Sequence, residues 1–283
     1  MLKADRSERI GIVAGGGTLP FAVARAVAAR GKTPVLLAIE GYCDPSLLGG
    51  YEHHWVKIGR MGRILQILRA ERLHEIVCVG SLVRPALSEI LLDWQTIRIL
   101  PALITAFRGG DDHLLTGVAR LFEKHGLSFV GIADVAPELT MPDGSITRRK
   151  PDETALRDIA KGRAVLAAMS SFDIGQAVVV IDGHVIALED LGGTDALLGR
   201  IARMRSEQRL RAQPGRGVLI KMPKAGQDLR FDLPAIGPRT VEEAAGAGLA
   251  GIATVAGRTL IAEPETVVVE ADRAGIFVAG FSA

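Results

Sequence analysis

The feature that most constrains the fold is a repeating order of short apolar runs with amphipathic stretches between them. Ile10–Ala14, Pro34–Ile39, Trp55–Ile58, Glu75–Val79 and Leu127–Ile132 read as strands. Between them lie helical stretches at Leu19–Val27, Ile64–Leu73, about 86–107 and about 112–125. The strands are apolar throughout, so both of their faces are covered. Strands alternating with helices give a parallel sheet joined by crossover helices. Pro20 suits the first turn of its helix, where a missing N–H costs nothing, and Gly31 ends that helix.

After residue 140 the pattern changes. Residues 141–152 carry Pro142, Asp143-Gly144, the basic run Arg148-Arg149-Lys150 and Pro151, which reads as a linker. Beyond it, Ala177–Ile181 and His184–Glu189 flank Asp182-Gly183, a strong two-residue hairpin signal. Helices are expected at 152–168, after Gly193-Thr194-Asp195, at 241–247 and at 264–274. Strands are expected at 217–222 and 276–280, with 251–255 and 259–262 paired around a glycine turn. The fold class is therefore α/β: an N-terminal Rossmann-like parallel-sheet domain (1–140), a linker (141–152) and a smaller C-terminal α/β (α+β) domain (153–283).

Composition narrows the function. The 283 residues hold 34 Lys plus Arg against 32 Asp plus Glu, too balanced for a protein that coats nucleic acid. Aromatics are 4%, too few for base-stacking platforms, so no nucleic-acid partner is expected. Two cysteines make neither a disulfide scaffold nor a Cys₄ metal site, and Cys78 lies in the apolar run Glu75–Gly80, where it reads as a buried core thiol. The polar start, Met1 to Arg9, and the brevity of Ile10–Ala14 argue against a signal peptide. No stretch approaches the roughly 18 apolar residues of a membrane span. A cytoplasmic chain is expected, free to visit a membrane surface.

Five constellations carry candidate chemistry. Gly15-Gly16-Gly17 follows a strand and opens a helix, a context in which backbone N–H groups hold a phosphate. Glu40, at the end of the next strand, stands where an acid grips a ribose in dinucleotide sites, but Pro20 replaces the third fingerprint glycine. A tight turn with no ligand explains the glycines equally. Ser81 and Arg84 follow the 75–79 strand, at the carboxyl end where open α/β sheets bind ligands; Arg84 also suits a loop cap. Asp111, Asp112 and His113 suit either a metal or a helix N-cap. Glu189 and Gly192-Gly193-Thr194-Asp195 read first as a helix start, with N–H groups placed for an anion, and Gln176 adds a polar group before the hairpin.

The densest cluster is Lys221-Met-Pro-Lys224-Ala-Gly-Gln227-Asp228-Leu-Arg230-Phe-Asp232. Its cations suit a diphosphate, and its carboxylates suit Mg²⁺ or a water nucleophile. A solvated charged loop has the same composition. Carboxylates, with an ordinary pKa near about 4, are weak bases at neutral pH, which makes metal binding their larger role. Asp228 and Asp232 are the candidate metal ligands. No Gly-x-x-x-x-Gly-Lys-Ser/Thr, no His-Glu-x-x-His and no Gly-x-Ser-x-Gly is present.

Ile12–Pro20, Gly80 with Arg84-Pro85, Gly110-Asp111-Asp112, Asp173-Ile-Gly-Gln176, Glu189 with Gly193-Thr194-Asp195, Lys221-Met-Pro-Lys224 and Arg230-Phe-Asp232-Leu-Pro-x-Ile-Gly237 occur in this order along nearly the whole chain. Together they resemble the LpxI family, the UDP-2,3-diacylglucosamine pyrophosphatases of lipid A biosynthesis that are not calcineurin-like. One departure is Ser81, where the family pattern has Asn; a shorter hydrogen-bonding residue remains. The resemblance implies two α/β domains with the lipid-linked nucleotide sugar bound between them. It implies hydrolysis to UMP and 2,3-diacylglucosamine 1-phosphate, dependence on Mg²⁺ (or Mn²⁺ or Co²⁺), and Asp232 as the key catalytic carboxylate. Lys221, Lys224 and Arg230 would offset the diphosphate charge. Gly15, Gly16, Gly17, Ser81, Arg84, Asp111, Gln176, Glu189, Thr194 and Asp195 would contact substrate. Transient contact with the inner face of the inner membrane follows from the lipid substrate, and a homodimer is the default assembly. The residues leave two other classes open: a nucleotide-dependent oxidoreductase and a non-catalytic carrier of nucleotide-sugar lipids.

Overall fold

A computed structural model of the chain describes residues 8–82, 117, 119–120, 122–172 and 174–282. Arg84, Asp111, Asp112, His113, Asp173 and the helix expected at 86–107 lie outside the described residues. The chain forms two compact units, one of 1–137 with 228–232 and one of 138–227 with 233–283.

The first unit is built on five parallel strands: β1 (Arg9–Ala14), β2 (Thr33–Ile39), β3 (Glu52–Val56), β4 (Glu75–Val79) and β5 (Ser128–Phe129). Their order is β3-β2-β1-β4-β5, that of a doubly wound sheet. Helix α1 (Leu19–Ala29) follows β1 and presents Phe21, Val23 and Val27 to the interior, while α2 (Met61–Ala70) buries Met61, Leu65, Ile67 and Leu68. Val35, Leu37 and Ile39 of β2 join the α2 side chains, Phe122 and Phe129 in one core. Cys78 packs against this core, and desolvation pushes its thiol up to about 12.

Two edges differ from the sequence reading. β3 begins three residues earlier than expected, and its outer positions Glu52 and His53 are exposed because it is the edge strand. β5 ends at Phe129, and the chain turns into a short helix α3 (Ile132–Val135), because the Asp134 carboxylate accepts the Gly131 N–H at 2.9 Å and favours a helix start over extended chain.

The second unit holds a mixed sheet in the order β6-β13-β11-β9-β7-β8. Its strands are β6 (Gly144–Ser145), β7 (Ala177–Ile181), β8 (His184–Leu188), β9 (Val218–Lys221), β11 (Gly251–Val255) and β13 (Phe277–Phe281). β9, β11 and β13 run parallel; β7 and β8 form the expected hairpin, and β7 pairs antiparallel with β9. Period-2 alternation assigns the faces. Val178, Val180, Val218 and Ile220 pack against Ala155, Ile159 and Leu166 of α4 (Glu153–Met169). Val179, Ile181, Leu219 and Ile252 pack against α5 (Gly193–Ser206), α6 (Pro238–Gly246) and α7 (Pro264–Ala274).

The 141–152 stretch, expected as a linker, enters this unit. β6 pairs with β13, Met141 is a core side chain, and the Thr147 hydroxyl accepts the Val278 N–H at 2.9 Å. The run near 259–262 also departs from expectation. Its strand β12 (Leu260–Ile261) pairs in parallel with β10 (Ala235–Ile236) and not with β11. The reason lies in the donors: Gly257 N–H goes to Met141 O and Met141 N–H to Thr259 O, so the turn closes on residue 141, and Leu260 N–H goes to Pro234 O.

Candidate active site

In the first unit the winding direction reverses between β1 and β4, the place where open α/β sheets bind ligands. Gly15–Gly17 follow β1 and Gly80-Ser81 follow β4. These two loops are joined to each other. Gly15 N–H donates to Val79 O at 2.8 Å, and Gly16 and Ser81 exchange backbone hydrogen bonds at 2.9 and 3.0 Å. A Cβ at Gly15 would stand 2.8 Å from Ser81 O, and one at Gly16 2.8 Å from Ser81 Oγ. The first two glycines therefore allow a close backbone approach, and Gly17 (φ +88°, exposed) takes the left-handed turn into α1. The Glu40 carboxylate at the end of β2 pairs with Lys57 at 3.2 Å.

The charged 221–232 cluster is divided between the two units. Residues 228–232 belong to the first, a placement the sequence did not reveal. The Phe231 ring packs 5.2 Å from that of Phe129, which in turn meets Phe122 edge-on at 5.6 Å. The segment is a tight turn: Phe231 N–H and Asp232 N–H both donate to Asp228 O, at 3.0 and 3.2 Å. Arg230 grips Asp228 with a fork, Nε to Oδ1 at 3.0 Å and Nη2 to Oδ2 at 2.7 Å, and reaches Glu123 with Nη1 at 3.1 Å. The guanidinium holds the Asp228 carboxyl below the usual carboxylate range, and the two acids push Arg230 upward. Asp232 is exposed at the end of this turn. Glu123 was not apparent from the sequence, since nothing local links it to a residue over a hundred positions away.

In the second unit, four expected residues converge on the carboxyl end of β9. Lys221, 7% exposed, donates from Nζ to Thr194 Oγ1 at 2.9 Å and to Ala235 O at 3.0 Å. The Thr194 hydroxyl donates to Glu189 Oε1 at 2.7 Å. Glu189, also 7% exposed, accepts the Gln176 N–H on Oε2 at 2.7 Å. Gly175 permits this: a Cβ there would lie 2.3 Å from Glu189 O. Gly192, not Thr194 or Asp195, is the N-cap of α5; Thr194 is turned to Lys221, and Asp195 pairs at the surface with Arg239 at 3.0 Å. Lys224 lies in the loop after β9, its N–H donating to Gln227 Oε1 at 3.0 Å. Thr254, the register partner of Lys221 on β11, is fully buried, and its hydroxyl has no hydrogen-bond partner among the described residues, a polar residue that apolar patterning hid.

Among the described residues, no group of three His, Cys, Asp or Glu gathers to hold a metal ion. Asp228, one of the two expected ligands, has its carboxylate engaged by Arg230.

Comparison with known proteins finds two domain models along the chain. Residues 9–139 match the model of the LpxI N-terminal domain, and residues 142–279 that of the LpxI C-terminal domain. The curated UDP-2,3-diacylglucosamine pyrophosphatase LpxI of Caulobacter vibrioides is 40% identical over 272 residues, covering 96% of this chain and 97% of that protein.

Proposed function

This chain belongs to the LpxI family, and we propose that it hydrolyses the diphosphate of UDP-2,3-diacylglucosamine. Water adds to one phosphorus, the bridging P–O bond breaks, and UMP and 2,3-diacylglucosamine 1-phosphate leave. The observation that carries this reading is the 40% identity to a pyrophosphatase across 96% of the chain. With the uncharged glycine loops alone, a dinucleotide reading would compete; Pro20 at the third fingerprint position and the Glu40–Lys57 pair do not favour it.

A diphosphate resists hydrolysis because its negative charge repels the nucleophile. Asp232, exposed on the 228–232 turn, is the carboxylate on which hydrolysis depends in this reading, with Lys224 and Arg230 as cations. Arg230 already faces Asp228 and Glu123, so the turn and its neighbour carry three acids to one base. Such a balance repels an anionic substrate unless further positive charge is supplied. That supports a divalent-cation requirement. Ser81, Arg84, Asp111 and the glycine loop remain the proposed substrate contacts. Among the described residues no helix is long and apolar enough to cross a membrane. A cytoplasmic enzyme meeting its lipid at the inner face of the inner membrane fits that, and a homodimer is proposed as its assembly.

The test is release of UMP from UDP-2,3-diacylglucosamine with Mg²⁺, with and without EDTA. Metal-dependent release supports the reading; none from folded protein with Mg²⁺, Mn²⁺ or Co²⁺ refutes it. Asp232→Ala should lose at least about a thousandfold in kcat while its circular dichroism and lipid binding persist, as removal of transition-state stabilisation requires. Wild-type turnover by that variant removes Asp232 from the role.

A further inference from the structure

One ammonium group clasps both ends of the 222–234 segment. Lys221 is the last residue of β9 and Ala235 the first of β10, and Lys221 Nζ donates to the Ala235 carbonyl at 3.0 Å. The same ammonium bonds Thr194 Oγ1 at 2.9 Å, in the first turn of α5. Thr194 passes the interaction on to Glu189 at 2.7 Å, just after β8, and Glu189 to the Gln176 N–H at 2.7 Å, just before β7. Met222 N–H closes the ring on Gln176 O at 3.0 Å. A buried lysine is costly unless paired and hydrogen-bonded. Among the described residues Glu189 supplies a counter-charge, reached through a hydroxyl that accepts from nitrogen and donates to oxygen at the same time. Two of the three N–H donors of the Lys221 ammonium are thereby committed inside the protein, and the side chain is buried.

We infer that Glu189, Thr194 and Lys221 are positioning residues, which close the stem of the segment bearing Lys224, Asp228, Arg230 and Asp232, and that they do not bind the diphosphate. The inference rests on the proposed hydrolysis insofar as it gives the segment a catalytic task. Threonine 194 supplies a clean perturbation. Valine keeps its shape but neither accepts nor donates, and serine keeps the hydroxyl.

The experiment follows amide exchange over residues 222–235 by mass spectrometry in the full chain, together with steady-state UMP release. Thr194→Val should raise exchange there at least tenfold and lower kcat at least tenfold, with KM within twofold. Thr194→Ser should restore both. Unchanged exchange in Thr194→Val overturns the inference. A tenfold rise in KM at unchanged kcat overturns it too, because that is the mark of direct substrate contact. If Thr194→Val does not fold, Glu189→Gln takes its place under the same criteria. If the wild type releases no UMP, the exchange data alone decide the clasp, and only the proposed reaction falls.

Discussion

Removing the Lys221 ammonium should show how strongly the buried pair is coupled. Lys221 and Glu189 are each 7% exposed and are joined through Thr194 at 2.9 and 2.7 Å. Lys221→Met keeps the length and apolar stem of the side chain but leaves the Glu189 carboxylate buried without its counter-charge. Breaking one partner of such a pair costs about 3–5 kcal/mol. At about 1.4 kcal/mol per tenfold, a 4 kcal/mol loss speeds exchange of the most protected amides by roughly a thousandfold. The amides to follow are those of β9 and β11, at the centre of the second sheet. A protein with about 5–15 kcal/mol of stability tolerates that loss and stays folded. Glu189→Gln should cost somewhat less, because an amide oxygen still accepts from Thr194. With both charges gone neither is stranded, so the double variant should sit near about 2 kcal/mol, roughly thirtyfold in exchange, rather than at the sum of the single effects. Two results would refute the reasoning: additive single effects, or β9 exchange in Lys221→Met within threefold of the wild type.

Other outcomes can be stated briefly. Phe231→Ala should free the 228–232 turn from Phe129, raising its amide exchange and lowering kcat while the core amides of both sheets keep their protection. Arg230 holds the Asp228 carboxyl below its unfolded value, so the pair's contribution is present above about pH 4 and is lost as pH falls through the lowered folded value. Proteolysis of the turn should therefore rise in acid, and Asp228→Asn should flatten that dependence. Gly280→Ala would place a Cβ 2.0 Å from Pro142 O and should prevent cooperative folding; Gly199→Ala, exposed inside α5 with nothing within 4 Å, should raise stability by about 1 kcal/mol in chemical denaturation.

Much of this fold is legible along the chain because its signals are local. Apolar runs, Pro20 at a helix start, Asp182-Gly183 between two strands and Pro264 opening α7 each act over a few residues. The motif residues Gln176, Glu189, Thr194 and Lys221 are also visible, as a polar group before the hairpin, a helix start and the first residue of a charged cluster. Their partnership is not. Thr194 reads as a cap from its neighbours, and only the packing of α5 beside β9 turns its hydroxyl to Lys221.

The charged segment after β9 marks the boundary most sharply. Sequence alone fixed its residue types, its broken backbone and its place after a strand. It could not tell that Lys221 ends up buried while Asp228–Asp232 join the first unit. That division depends on Phe231 finding Phe129 and Arg230 finding Glu123, each pairing about a hundred residues apart. Local propensity and spacing carry no term for such distant partners. Their gain comes from burying an aromatic ring and neutralising a guanidinium, and it exists only once the strands have brought those partners together.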